Sequence, residues 1–391
     1  MKILIVSESD AQQQQSPNHT TERRCAATPA TVKKLVMAKA DVSVETNAGL
    51  LAGFTDEEYQ EAGATVIANR AELLAQADIV LYVGRPTLDD VQHLSENTIV
   101  IGHLDPYFEQ PLIEQLSAKK ITAISVEMLP RTTRSQKMDA LSSQTNLSGY
   151  VMVLNGAQAL GTILPMMMTP AGTVKPAKVF IIGAGVAGLQ AIATAKRLGA
   201  SVTAFDTRPV VAEQVQSLGA KFLDIDLGET GQTQQGYANA LTPEQMQKQK
   251  EGQHQAIIDS DIVITTAQLF GRKPPLIVSA ETVAAMKPGS VIVDMAAEGG
   301  GNVEGTVPGE TVKVGDVTII GSGNWPNQVP KDATTLYANN LFNLLDEYWN
   351  KEEGQFVLDL TDDILDGCVI SHQGDVRNAH LKSHYEKSKG A

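Results

Sequence analysis

Apolar residues along the chain fall into short runs, separated by stretches in which they recur every three or four positions. Runs rich in Val and Ile stand at residues 2–6, 41–44, 64–67, 78–83, 98–101 and 121–126, with helical patterns between them at 31–39, 56–62, 71–77 and 110–119. Apolar runs this short, spaced by helices, predict a parallel sheet covered on both faces. A long helical pattern follows over 139–167, without a proline until Pro165, and Thr169-Pro170-Ala171-Gly172 then breaks it. A second series places strands at 179–182, 201–205, 221–224, 261–265, 290–294 and 317–320. A last long helix is expected at 333–349, then a small hairpin from 356–360 and 368–371, then a frayed tail from His380. Two polar stretches interrupt the pattern. Residues 8–22 read as an exposed loop, and 228–249, rich in Gly and Gln, as a long functional or mobile loop. The run Met166-Met167-Met168 is expected to pack in the core at the end of the long helix rather than to bind a soft metal.

Composition narrows the class. A length of 391 residues suggests two or three domains. The net charge of −14 argues against a nucleic-acid binder and against adsorption to anionic lipid. Cys25 and Cys368 are too few for a disulfide framework and fit a reducing compartment. The seven His and two Cys show no metal-ligand spacing. The most apolar helical candidate, 151–168, is interrupted by Asn155, Gln158 and Pro165, so no membrane-spanning segment is expected. The N-terminus turns polar too soon for a signal peptide. These features describe a soluble cytoplasmic α/β protein.

The candidate chemistry sits at the start of the second series. Gly183-x-Gly185-x-x-Gly188 follows an apolar strand and opens an apolar helix, and Asp206 ends the next strand about 20 residues on. Gly183 permits a tight turn, Gly185 leaves room for a pyrophosphate, and Gly188 lets helix and strand approach. The helix N-terminus offers N–H groups to the phosphates. Asp206 can accept hydrogen bonds from the adenosine ribose and repels a 2′-phosphate, which favours NAD over NADP. Arg208 pulls the other way, because an arginine there can accommodate a 2′-phosphate.

The segment MLPRTTRSQKMDALSSQTNLSGY (residues 128–150) resembles the signature of the NAD(H)-binding component of proton-translocating nicotinamide nucleotide transhydrogenase, the membrane-peripheral portion of its alpha subunit (domain I). The resemblance continues through RRCAATPATVKKL, PAKVFIIGAGVAGLQAIATAKRLGA, AFDTRPVVAEQVQSLGAKF, QGYANAL, ITTAQLFGRKPP, MKPGSVIVDMAAEGGGN and LYANNLFNLLDEYW, from about residue 20 to 375. Alanine dehydrogenase is the sister family. The resemblance implies two Rossmann-like, doubly wound parallel-sheet domains with a nucleotide cleft between them. The first is discontinuous, 1–142 plus 331–391, and the second is 143–330.

The resemblance also assigns residues. Arg131, Gln136 and Asp139 match those gathered around the nicotinamide, and Ser142 the nearby serine. Thr132, Thr133 and Arg134, then Val186, Thr207, Arg208, Gln249 and Gln268, would contact NAD(H). Gly236 and Tyr237 match a Gly-Tyr pair on a mobile loop that closes over nucleotide. At Ala267-Gln268-Leu269-Phe270-Gly271 the chain departs from the Ala-Leu-Ile-Pro-Gly run of relatives. Hydride transfer between two nicotinamides needs orientation and no general acid or base. The implied activity is transfer from NADH to NADP+ on an NADP(H)-binding partner, with proton coupling in a membrane-spanning second alpha polypeptide and the beta subunit. The chain would be a homodimer, attached peripherally to the inner membrane through these partners and not inserted itself. An alanine dehydrogenase would use an arginine, a lysine, a histidine and an aspartate. Arg24 and His103 match two of these, but the lysine position holds Gly84, beside Arg85, and the aspartate position holds Glu298. A soluble dehydrogenase of that kind and a non-catalytic NAD-sensing module are the alternative readings.

Overall fold

The computed structural model describes residues 1–9, 21–228, 230–231, 239 and 241–389. The chain divides into two units, Met1–Gln144 with Asn327–Ala391, and Thr145–Pro326. In the first unit, β1 (Lys2–Ile5), β2 (Asp41–Glu45), β3 (Thr65–Ile67), β4 (Ile79–Leu81), β5 (Ile99–Gly102) and β6 (Thr122–Ser125) form a parallel sheet in the order β3-β2-β1-β4-β5-β6. Alternate residues enter two cores. Ile3, Ile5, Val42, Ile79 and Ile101 point to one, and Leu4, Val6, Val80, Tyr82 and Val100 to the other, so both faces are covered. Helices begin where a threonine side chain accepts from the backbone N–H three residues on. Thr28 precedes Pro29–Met37, Thr55 precedes Asp56–Glu61, and Thr87 precedes Leu88–His93, each with a reciprocal bond back to the cap.

The second unit repeats the plan. A hairpin of β7 (Met167–Thr169) and β8 (Gly172–Val174) leads into β9 (Lys178–Ile182), β10 (Ser201–Phe205), β11 (Lys221–Phe222), β12 (Ile262–Thr265), β13 (Val291–Asp294), β14 (Thr311–Val314) and β15 (Val317–Ile320). The sheet order is β11-β10-β9-β12-β13-β15-β14, parallel except for the antiparallel edge strand β14. Both units are α/β with Rossmann-like winding. In the second, the strand order reverses between β9 and β12, which places a switch point at the carboxyl ends of these two strands.

Four expectations are corrected. The long helix ends at Ala159, and the methionine run lies in the β7–β8 region with Met166, Met167 and Met168 exposed at 61%, 47% and 75% rather than in the core. The stretch 228–249 is not loop throughout, because a helix, Pro243–Ile258, starts within it, with Thr242 as cap and proline at its first turn. The C-terminal segments do not form a hairpin with each other. Gln355–Phe356 pairs with Trp349–Asn350, while Val369–His372 adds antiparallel to β6 and pairs with Asp375–Val376. The tail is helical over Ala379–Lys389, held by buried Leu381 and Tyr385, whose hydroxyl donates to the Pro106 carbonyl at 2.5 Å.

Candidate functional site

The glycine-rich turn joins β9 to the helix Val186–Arg197. Gly183 has φ +100°, and a Cβ there would sit 2.3 Å from Thr266 Oγ1. A Cβ on Gly188 would lie 1.8 Å from the Gly183 carbonyl oxygen. Both glycines are therefore required by the protein's own packing. Gly185 differs. Its φ is −79°, and among the described residues, chain neighbours aside, the one atom within 4 Å of a Cβ there is Arg208 Nη2, at 4.0 Å. Nothing among the described residues demands a glycine at this position, and the space its missing side chain leaves lies at a helix N-terminus, where N–H groups lack intrahelical partners. The cradle fits a pyrophosphate. Thr266, which follows β12, was not anticipated. Its hydroxyl lies within hydrogen-bond reach of the carbonyls of Ile182 and Gly183, at 3.2 and 3.1 Å, and fixes the turn at the switch point.

Asp206 immediately follows β10 and is buried. Its Oδ2 accepts from the Ala184 N–H at 2.7 Å, which ties the carboxylate to the glycine turn. Arg208 closes on it as a fork, Nε to Oδ1 at 2.9 Å and Nη2 to Oδ2 at 2.8 Å. That bonding, against the opposing effect of burial, raises the Arg208 pKa above its ordinary value. The Thr207 carbonyl accepts from Thr230 Oγ1 at 2.6 Å. Val186 is the first residue of the helix. Gln249 lies two turns into the helix Pro243–Ile258, on its buried side with Gln253 and Ile257. Gln268 is exposed, its Nε2 3.4 Å from the Met295 carbonyl. The segment carrying it is anchored by Asn302, whose Nδ2 donates to the carbonyls of Ala267 and Pro275 at 3.0 and 2.8 Å. Asn302 is held in turn by its N–H to buried Asp294 at 2.9 Å. Gly236 and Tyr237 lie outside the described residues.

In the first unit, residues 131–142 form a compact loop and a helix start. The hydroxyl of buried Ser135 gathers the Pro130 carbonyl and the Thr132 N–H, carbonyl and hydroxyl. Asp139 stands before the helix Ala140–Ala159, and its carboxylate accepts from the Ser142 N–H at 2.8 Å and the Ser142 hydroxyl at 2.6 Å. The structure thus brings Asp139 and Ser142 together as a helix cap. Arg131, Thr133 and Gln136 are exposed along the same loop. Arg134 turns to the Asp362 carboxylate, with the Tyr348 hydroxyl at 3.1 Å and Asp363 at 3.4 Å. Sequence reasoning missed the loop's supports. Asn340 and Asn343 on the helix Pro330–Glu347 both donate to the Lys137 carbonyl, at 3.0 and 2.9 Å, and Asn340 Oδ1 accepts from Ser143 at 2.7 Å.

A buried charged cluster occupies the same unit. Arg24 pairs bidentately with Glu22, at 2.8 and 2.7 Å, and donates to Gln144 at 3.0 Å. The Glu8 carboxylate accepts from the N–H groups of Val83 and Gly84. Burial, aided by the neighbouring Glu22 charge, pushes its pKa up to about 7. His103 stacks on Tyr337 with ring centroids 5.3 Å apart, and its Nδ1 lies 3.2 Å from the Val83 carbonyl. A carbonyl only accepts, so that nitrogen carries the proton. Burial, then Arg24, lowers its pKa to about 4, so the ring is neutral at pH 7. Glu298 is exposed in the second unit, and Arg85 pairs with Glu109 at 2.6 Å. Among the described residues, no group of His, Cys, Asp and Glu is arranged to hold a metal.

Residues 16–148 match the alanine dehydrogenase/PNT N-terminal domain, and residues 152–379 the alanine dehydrogenase/PNT C-terminal domain. The chain is 43% identical over 362 residues to the first of the polypeptides that make up the NAD(P) transhydrogenase alpha subunit of Rhodospirillum rubrum, covering 91% of this chain and 94% of that one. A crystal structure of the transhydrogenase from Sinorhizobium meliloti aligns with a TM-score of 0.84 at 40% identity, over 96% of this chain and 100% of that one. An L-alanine dehydrogenase aligns with a TM-score of 0.80 at 26% identity, over 99% of each chain. The two structures share the fold almost equally; sequence identity separates them.

Proposed function

The chain belongs to the alanine dehydrogenase/PNT family, on the branch of the transhydrogenase alpha subunits, and from this we propose that it binds NAD(H) and passes hydride from NADH to NADP+ held by a partner subunit. The observation that carries the cofactor reading is the open space at Gly185, beside a helix N-terminus and at the switch point of the second sheet. Gly183, Gly185, Val186 and Gly188 would cradle the pyrophosphate. Asp206 would hold the adenosine ribose, with Thr207 beside it and Arg208 clasping its carboxylate. Gln249, Gln268 and the Gly236-Tyr237 pair complete the nucleotide contacts in this proposal. Arg131, Gln136, Asp139 and Ser142, with Thr132, Thr133 and Arg134 beside them, would orient the nicotinamide end.

Bound NADH supplies the hydride, and the protein supplies orientation. Asp139 suits that task, because its two bonds to Ser142 fix the carboxylate in place. It needs no proton to give or take. The sister dehydrogenase reading asks for a titrating lysine where this chain has Gly84, and for an aspartate where it has Glu298. NADP(H) binding, proton coupling through a membrane-spanning second alpha polypeptide and the beta subunit, and peripheral attachment to the membrane belong to the same proposal. So does a homodimeric state. No helix of the described residues is long and apolar enough to cross a membrane, so the coupling is assigned to the partners.

Two alanine substitutions test the cofactor reading. Gly185→Ala meets no atom of the described residues, chain neighbours aside, closer than 4.0 Å and is expected to leave the melting temperature unchanged or slightly raised, while weakening NADH binding at least tenfold in fluorescence titration. Gly188→Ala should destabilise the fold itself by about 1–3 kcal/mol through overpacking. Undiminished NADH binding by a folded Gly185→Ala variant would sink the reading.

A further inference from the structure

The Asp206 carboxylate has no acceptor capacity left. Its Oδ1 accepts from the Arg208 N–H at 2.8 Å and Arg208 Nε at 2.9 Å, and its Oδ2 from the Ala184 N–H at 2.7 Å and Arg208 Nη2 at 2.8 Å. A carboxylate offers about four lone-pair sites. Two go to backbone N–H groups that set its position. The other two, one on each oxygen, go to the guanidinium fork. The pair is well shielded, with the Arg208 and Asp206 side chains 13% and 6% exposed.

A ribose vicinal diol also presents two adjacent donors to a single carboxylate. The diol and the fork therefore require the same two lone pairs. We propose that Arg208 is a specificity-determining residue, a tethered competitor for the ribose seat on Asp206 that the nucleotide must displace. The inference rests on the NAD(H) reading above and deepens it at the adenosine end. Arg208 holds the buried carboxylate aligned, and in doing so offsets much of what the ribose hydroxyls gain by reaching it. It also neutralises the charge that would repel a 2′-phosphate. Asp206 consequently selects less sharply for a free 2′-hydroxyl than its place in the motif suggests.

The test is calorimetric titration of the full chain with AMP and with 2′-deoxy-AMP. The wild-type protein should favour AMP only weakly. Arg208→Ala should tighten AMP binding about tenfold, the worth of a charge-assisted bond no longer contested. 2′-Deoxy-AMP, with one hydroxyl in place of two, should gain little, so the AMP preference rises by a similar factor. Arg208→Gln keeps a long polar side chain but no fork, and should act in the same direction if the alanine variant folds poorly. Weaker AMP binding in both variants, or an unchanged preference, overturns the proposal and makes Arg208 a direct ligand contact or a bystander. Failure of the underlying reading looks different. The wild-type protein would then bind neither NADH nor AMP, or Asp206→Ala would leave both affinities unchanged, and the proposal would fall with it.

Discussion

A carboxylate in this chain takes its role from what already occupies its lone pairs. Asp139 caps a helix through Ser142, Asp206 is clasped by Arg208, and Glu8 caps the N–H groups of Val83 and Gly84. Glu8 has the largest consequence for stability. Its pKa, raised from the usual 4.5 to about 7 chiefly by burial, means that the folded protein binds a proton the unfolded chain has given up. The stabilisation is fully present below about pH 4.5 and is lost as pH rises through about 7. His103, lowered by burial to about 4, adds a slope of the opposite sign below about pH 6.5, so the Glu8 contribution is read as a difference between proteins. Urea denaturation at a series of pH values should show the unfolding free energy of the wild type falling relative to that of Glu8→Gln across this window, by about 1–3 kcal/mol. Glu45 and Glu127, also raised by burial, contribute equally to both proteins and cancel in the comparison. A variant with the wild-type slope would contradict the assignment.

Elements depend on ties of two kinds, local and distant. The loop over 131–139 rests on the distant kind. Lys137 offers its carbonyl to Asn340 and Asn343 across about 200 residues of sequence, and Asn340 reaches on to Ser143. Asn340→Ala should cost about 1–2 kcal/mol and speed amide exchange in the peptide spanning 136–143, read by mass spectrometry. Unchanged exchange there would remove Asn340 as the loop's support. The same division explains what was legible in the sequence. Strands β1, β2, β9 and β10 were visible because β-branched runs flanked by turn residues are local signals. The helix Pro243–Ile258 was obscured by its polar composition, although Thr242, Pro243 and Gln245 spell a cap. The methionine run carried no period to separate helix from strand, and its pairing with Gly172–Val174 settled it. The strand Val369–His372 exists because β6 accepts it, a contact no local pattern announces. At the site, the glycine turn and Asp206 were readable as a motif. The fork of Arg208 on Asp206, the hydroxyl of Thr266 and the tie of Arg134 to Asp362 are products of folding.

At the scale of the whole molecule, the two units share the order of their first five parallel strands, yet only the second carries the glycine turn at its switch point. The chain's net charge is −14, and no helix of the described residues is long and apolar enough to cross a membrane. In the proposed function the chain carries half of a reaction, completed by another protein. The most direct measurement is the rate of NADH oxidation by the purified chain under two conditions. Hydride transfer to an NADP+ analogue is expected only when the NADP(H)-binding partner is added, with no oxidation by pyruvate and ammonia. Robust turnover with pyruvate and ammonia, or no transfer even with the partner present, would contradict the proposed function.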